Sequence, residues 1–136
     1  MNARPTIYNG IQMRSRLEAR WAAAWDRAGI TWTYEPGAFA STAGQYLPDF
    51  RFDFPRRYGS KVVYVELKGN ITDLAQLDRY LRRMSIIWSS EPEALLLLIE
   101  DEAQRCWMGR VDEDGSEHWC EHDGDVESLL TGQGAA

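Results

Sequence analysis

Two short stretches of the 136-residue chain carry residue types suited to phosphoryl chemistry: Pro48-Asp49 and Glu66-Leu67-Lys68. Each lies in a run that alternates apolar and polar residues, as a half-buried strand does. If the two strands pair antiparallel, Asp49 and Glu66 come side by side at one end of a sheet. Two carboxylates that close repel, and a hard divalent cation is the simplest remedy. Mg²⁺ suits such a place, taking one or two carboxylates together with substrate phosphate and waters. A cation there polarises a phosphoryl oxygen and acidifies a bound water. Lys68 lies two residues beyond Glu66 and so on the same face. It can hold the attacking water or offset charge on the pentacovalent phosphorus. The plainer role for these residues is a solvated strand face with a cross-strand ion pair. Val62 and Tyr64 share that face, so it is not simply wet.

The elements that must position these residues are legible from periodicity. Met13 to Ala28 reads as a helix, with Met13, Leu17, Trp21, Ala24, Trp25 and Ala28 on one face and Gly29 as its stop. Arg16, Arg20 and Arg27 cluster opposite. Arg14 and Glu18 interrupt the apolar arc one turn apart, which in the ordinary case is a surface ion pair. Ile30 to Glu35 alternates and ends at Pro36, so it reads as a strand. Gly37 to Gln45 is small and polar and reads as a loop. In Leu47 to Phe54, Phe50, Phe52 and Phe54 point one way and Asp49, Arg51 and Asp53 the other. In Lys61 to Lys68, Val63, Val65 and Leu67 oppose Val62, Tyr64, Glu66 and Lys68. Thr72 or Asp73 caps a second helix with the stripe Leu74, Leu77, Leu81 and Met84. Ala94 to Ile99 is apolar at every position, as a strand buried on both faces is. "RCWMGRV" and "SEHWCEH" around "DEDG" predict a C-terminal hairpin. The predicted class is α/β, with helices flanking a mixed sheet.

The Pro48-Asp49 and Glu66-Leu67-Lys68 pair resembles the motif of the PD-(D/E)xK nuclease superfamily. The order helix, three strands, helix, strand is similar to that family's restriction-endonuclease-like core. Glu18 stands where many members carry a helix glutamate, and Gln76-Leu77-Asp78-Arg79-Tyr80 resembles the Gln-x-x-x-Tyr motif of the RecB-like exonuclease branch. The resemblance covers residues 13 to about 100. It implies that Glu18, Asp49, Glu66 and the Leu67 carbonyl hold Mg²⁺ or Mn²⁺, that Lys68 assists catalysis, and that Gln76 and Tyr80 touch substrate or active site. Arg14, Arg82 and Arg83 are the candidate nucleic-acid contacts; Arg82 and Arg83, with Arg56 and Arg57, could contact phosphates, with solvated surface as the plain alternative.

Other features have plain readings. His118, Cys120 and His122 with Cys106 offer soft ligands but lack a C-x-x-C knuckle, so packing is favoured over structural zinc. Trp107 and Trp119 are most simply packing residues. Two cysteines make no disulfide framework, no apolar run is long enough to span a bilayer, and residues 1–10 have no secretory h-region. A cytoplasmic location and no membrane partner are therefore expected.

The net charge of −6 argues against a nucleic-acid partner until its distribution is considered. All 15 Lys and Arg residues fall in 1–110 against 13 acids, while residues 111–136 hold 8 acids and no Lys or Arg. A mildly basic nuclease-like core, 1–110, thus precedes an acidic extension, 111–136, that is not a separate domain. The expected activity is metal-dependent hydrolysis of DNA, and a stand-alone domain of this size without a separate recognition module suggests structure-selective cleavage, a targeting partner or a homodimer. RNA is the alternative substrate, a non-catalytic binding module the alternative class, and a phage or mobile-element source would fit. The extension is also expected to compete with nucleic acid for the basic surface, so truncation after Arg110 should tighten DNA binding at low salt.

Overall fold

A computed structural model describes residues 5–53 and 62–122. Six strands form a mixed sheet in the order β10-β9-β8-β7-β6-β3. They are β3 (Trp32–Tyr34), β6 (Phe50–Asp53), β7 (Val62–Lys68), β8 (Leu95–Glu100), β9 (Arg105–Val111) and β10 (Glu117–His122). Only β7 and β8 are parallel neighbours; the remaining pairs are antiparallel. Two small hairpins stand outside this sheet, β1 (Thr6–Tyr8) with β2 (Ile11–Met13) and β4 (Phe39–Ser41) with β5 (Gly44–Tyr46).

The alternation read in β6 and β7 holds, and it divides the core in two. Phe50, Phe52, Val63, Val65 and Leu67 face helix α1 (Arg16–Arg27), packing with Ala19, Ala22 and Trp25. The rings of Phe50 and Phe52 meet the Trp25 ring edge-on, with centroids 4.8 and 4.6 Å away. Tyr64, Leu96, Leu98 and Trp107 face the other way, against helix α2 (Leu74–Met84), the 3₁₀ turn Ser85–Ser89 and Tyr46 of β5. Every residue of β8 is buried, as a strand covered on both faces requires.

Helix α1 begins three residues later than the periodicity suggests. Ser15 is its N-cap and accepts the Glu18 N–H, while the Glu18 carboxylate reaches back to the Arg14 N–H at 3.0 Å. This is a capping box displaced by one residue, and it places Met13 in β2. The other end closes as expected. Gly29, at φ 75°, donates to Asp26 O and Ile30 donates to Trp25 O, the Schellman pattern that glycine permits. In α2, Asp73 is the cap. The stripe starts at Leu77, because Leu74 in the first turn is 82% exposed and lies outside the packed contact.

Segment 37–45, read as a loop, folds into the β4–β5 hairpin. The β1–β2 hairpin turns on Asn9-Gly10, whose φ values of 52° and 80° fit a type I′ turn. Phe54, Arg56, Arg57 and Lys61 lie outside the described residues.

The C-terminal hairpin pairs Glu117–His122 with Cys106–Val111. Trp119 lies across Gly109, where an added Cβ would stand 2.8 Å from the indole, and it meets the Trp88 ring with centroids 5.6 Å apart. Trp107 and Trp119 thus pack, as their plain reading had it. Cys106 is buried, and burial pushes its thiol up to about 11, which disfavours a thiolate ligand. A cut after Arg110 would remove β10 altogether, whereas a cut after His122 keeps it and takes away only Asp123, Asp125 and Glu127 among the acids of the extension. A chain ending at His122 should keep the melting temperature within about 3 °C of the parent, whereas one ending at Arg110 should lose on the order of 10 °C or fail to fold. Thermal unfolding followed by circular dichroism measures both.

Candidate functional site

The site forms where the pairing of β6 with β7 runs out, just before the start of β6, because the strand ladder stops there but hydrogen bonding does not. Phe50 sits opposite Val65, so the next positions outward are Asp49 and Glu66. The Asp49 N–H donates to Val65 O at 3.0 Å, and Asp49 Oδ2 accepts the Leu67 N–H at 2.8 Å. A residue's N–H and C=O in an extended strand point to the same edge, so the Leu67 carbonyl also faces this side. Asp49, Glu66 and Glu18 are all buried.

Arg14, just before the α1 cap, reaches into this group of acids. Its Nη2 lies 2.6 Å from Asp49 Oδ1 and 3.4 Å from Glu18 Oε2, and its Nε lies 3.0 Å from Glu35 Oε2. Glu18 Oε1 accepts from the Tyr34 hydroxyl at 2.9 Å as well as from the Arg14 N–H. Glu35 has φ 45°, which is strained for a non-glycine residue preceding Pro36. Its N–H donates to Asp49 O at 2.8 Å, and this bond fixes the strained turn beside the acids.

On the other side, Glu66 Oε1 accepts the Tyr46 hydroxyl, and Lys68 Nζ lies 3.1 Å from Glu66 Oε2. The same ammonium stands 4.5 Å from the centre of the Tyr80 ring. A cleft of about 280 Å³ opens above these groups, lined by Arg14, Tyr46, Glu66, Lys68, Tyr80 and Arg83 among others. Three cations on its wall suit an anionic ligand.

Of the candidate residues, the structure therefore brings together Arg14, Glu18, Asp49, Glu66, Leu67, Lys68, Tyr80 and Arg83. Gln76 stands apart from the cleft lining: its side-chain oxygen accepts from Thr72 N at 2.7 Å and Thr72 Oγ1 at 3.1 Å, closing the first turn of α2. Arg82 pairs along its own helix with Asp78 at 2.7 Å on the exposed face. Among the described residues no group of three or more His, Cys, Asp or Glu side chains is arranged to hold a metal ion. Between Glu18 and Asp49 stands the Arg14 guanidinium. Tyr34, Glu35 and Tyr46 were not anticipated. The capping signal Ser15-x-x-Glu18 could have located the helix start, but nothing in segment 37–45 announces that its hairpin carries a tyrosine to Glu66.

Burial pushes the Asp49 carboxyl up to about 8, helped by the Glu66 and Glu18 charges and opposed by the Leu67 N–H and Arg14. Arg14 is held more firmly charged than usual: burial works against its charge, but Tyr34 and the carboxylates of Asp49, Glu18 and Glu35 outweigh it. Burial, with Glu66 beside it, raises Tyr46 well above the ordinary phenol range and keeps it a donor. The chain matches no protein-family model, and no curated protein matches it. The chemistry of the site therefore rests on its own residues.

Asp49 gives a pH prediction. Its ordinary value is 3.8, so between there and about 8 the folded chain keeps a proton that the unfolded chain has lost. Raising the pH through that window should lower stability, by at most about 1.4 kcal/mol per pH unit. Without divalent metal, the melting temperature should fall between roughly pH 5 and pH 8, and Asp49→Asn should flatten the decline. An unchanged slope in that variant would assign the titration to another group.

Proposed function

We propose that the chain is a metal-dependent nuclease that hydrolyses DNA phosphodiester bonds. The carrying observation is the buried pair Asp49 and Glu66 at adjacent strand ends, with Lys68 ion-paired to Glu66 under a cation-walled cleft. The element order α1, β3, β6, β7, α2, β8, with the β4–β5 hairpin inserted, is compatible with a PD-(D/E)xK core and supports the reading.

The donors suit a hard divalent cation. They are oxygen only and buried, and burial together with the Glu66 and Glu18 charges makes the Asp49 charge costly without a cation. Asp49, Glu66 and the Leu67 carbonyl would hold Mg²⁺ or Mn²⁺, with Glu18 at hand from α1. When bound, such an ion supplies positive charge to a phosphoryl oxygen and makes water more acidic. The chain's own residues supply the rest. Arg14 and Arg83 on the cleft wall hold phosphate oxygens. Lys68, fixed between Glu66 Oε2 and the Tyr80 ring, places a cation where charge develops on the phosphoryl group. Tyr46 fixes the second oxygen of Glu66 and so its orientation.

A non-catalytic nucleic-acid-binding module is the second reading, favoured by Arg14, whose guanidinium pairs with both Glu18 and Asp49. Duplex, single-stranded, flap and junction DNA and RNA, each with Mn²⁺, Mg²⁺ or EDTA, separate the readings and the substrate classes. Mn²⁺ should raise the melting temperature of the wild type by mass action. Asp49→Asn and Glu66→Gln should each lose both that shift and cleavage. Lys68→Ala should keep the shift and lose cleavage by about a hundredfold or more. Absence of both metal response and cleavage in the wild type would leave the binding module.

A further inference from the structure

The chain carries an internal occupant of its acidic centre. We propose that Arg14 is a placeholder cation, which a divalent ion must displace and which then serves as a ligand for substrate phosphate. The inference rests on the metal-dependent reading above and adds an order of events to it.

Three features carry it. First, Arg14 Nη2 sits 2.6 Å from Asp49 Oδ1, an oxygen that an incoming Mg²⁺ or Mn²⁺ would take. An ion coordinating there at about 2.1 Å leaves no room for that contact, and the two like charges repel. Second, the guanidinium is free to leave while its backbone is not. The side chain is 59% exposed, and so in part is Glu35, whereas the other two carboxylates it touches, Glu18 and Asp49, are buried. The Arg14 N–H stays anchored to Glu18 Oε1 at 3.0 Å and to the Tyr34 hydroxyl at 2.9 Å, so the pivot is fixed. Third, the place to which it can turn is adjacent, because Arg14 already lines the cleft with Lys68 and Arg83.

Charge balance points the same way. Arg14 meets Glu18, Glu35 and Asp49, while Lys68 meets Glu66. Arg14 is thus shared among three acids, and a divalent ion seated among them takes over its charge. Once the ion is seated, the acids no longer need Arg14, and a phosphodiester in the cleft does. Removing Arg14 should therefore have opposite effects on the two ligands. The ion should bind more tightly for want of a competitor, and nucleic acid more weakly for want of a contact.

The test is isothermal calorimetry with Mn²⁺ on the wild type, Arg14→Gln and Asp49→Asn, followed by binding of a short thymidine oligonucleotide in a Lys68→Ala background that suppresses cleavage. Arg14→Gln should bind Mn²⁺ about tenfold more tightly than the wild type. In Mn²⁺ it should bind the oligonucleotide about tenfold more weakly, with a much smaller loss in EDTA, where Arg14 stays on the carboxylates. Equal or weaker Mn²⁺ binding by Arg14→Gln, with binding by the wild type intact, would overturn the placeholder and leave the metal reading standing. No Mn²⁺ binding by the wild type or by Arg14→Gln would overturn both. If Arg14→Gln does not fold, Arg14→Lys replaces it, since an ammonium cannot span the carboxylates as the guanidinium does. The same signs are then expected at smaller size, and unchanged Mn²⁺ affinity overturns the proposal.

Discussion

Asp49 is the joint on which the molecule's working end depends. Its N–H and Oδ2 bond to β7 at Val65 and Leu67, its carbonyl accepts the Glu35 N–H beyond β3, and its Oδ1 holds Arg14 ahead of α1. One residue thus ties together three separate parts of the chain. Removing the whole side chain would leave the buried Leu67 N–H unsatisfied, a loss of about 1–3 kcal/mol. Because the carboxyl lies so deep, its charge is hard to sustain, and the surrounding groups are organised around that difficulty.

The tyrosines show how. Tyr34 donates to Glu18 and Tyr46 to Glu66. A phenol gives a carboxylate a hydrogen bond without cancelling its charge, whereas every Lys or Arg in the same position would. The acids are held in place while remaining attractive to a cation. Tyr80 does the converse for Lys68, offering the face of its ring to a positive charge without neutralising it.

Much of this arrangement was legible in the sequence, and the limits have physical causes. The period-2 alternation in β6 and β7 fixes which residues share a face, so the adjacency of Asp49 and Glu66 follows from pairing alone. The apolar run Ala94 to Ile99 and the Gly29 stop were equally plain. The helix start was misplaced because Met13, buried from β2, mimics a helical apolar position, while the capping pair Ser15 and Glu18 carries the better signal. Asn9-Gly10 is a strong turn signal that the apolar count does not register. Segment 37–45 is harder. Its strands have three residues each, and they are stable only against the 3₁₀ turn Ser85–Ser89, a contact absent from local sequence. Arg14 across Glu18 and Asp49 is likewise a long-range event, since a surface i,i+4 pair predicts only half of it.

The parallel pairing of β7 with β8, Val63 opposite Leu95, has a kinetic meaning. Parallel neighbours cannot be joined by a tight turn, so the chain must close a loop of roughly thirty residues, with α2 inside it, before the first rung forms. Such non-local pairings form slowly. Glu66 and Lys68 lie on β7, and Tyr80 and Arg83 on the crossover helix, so the basic wall of the cleft is completed only when that loop closes.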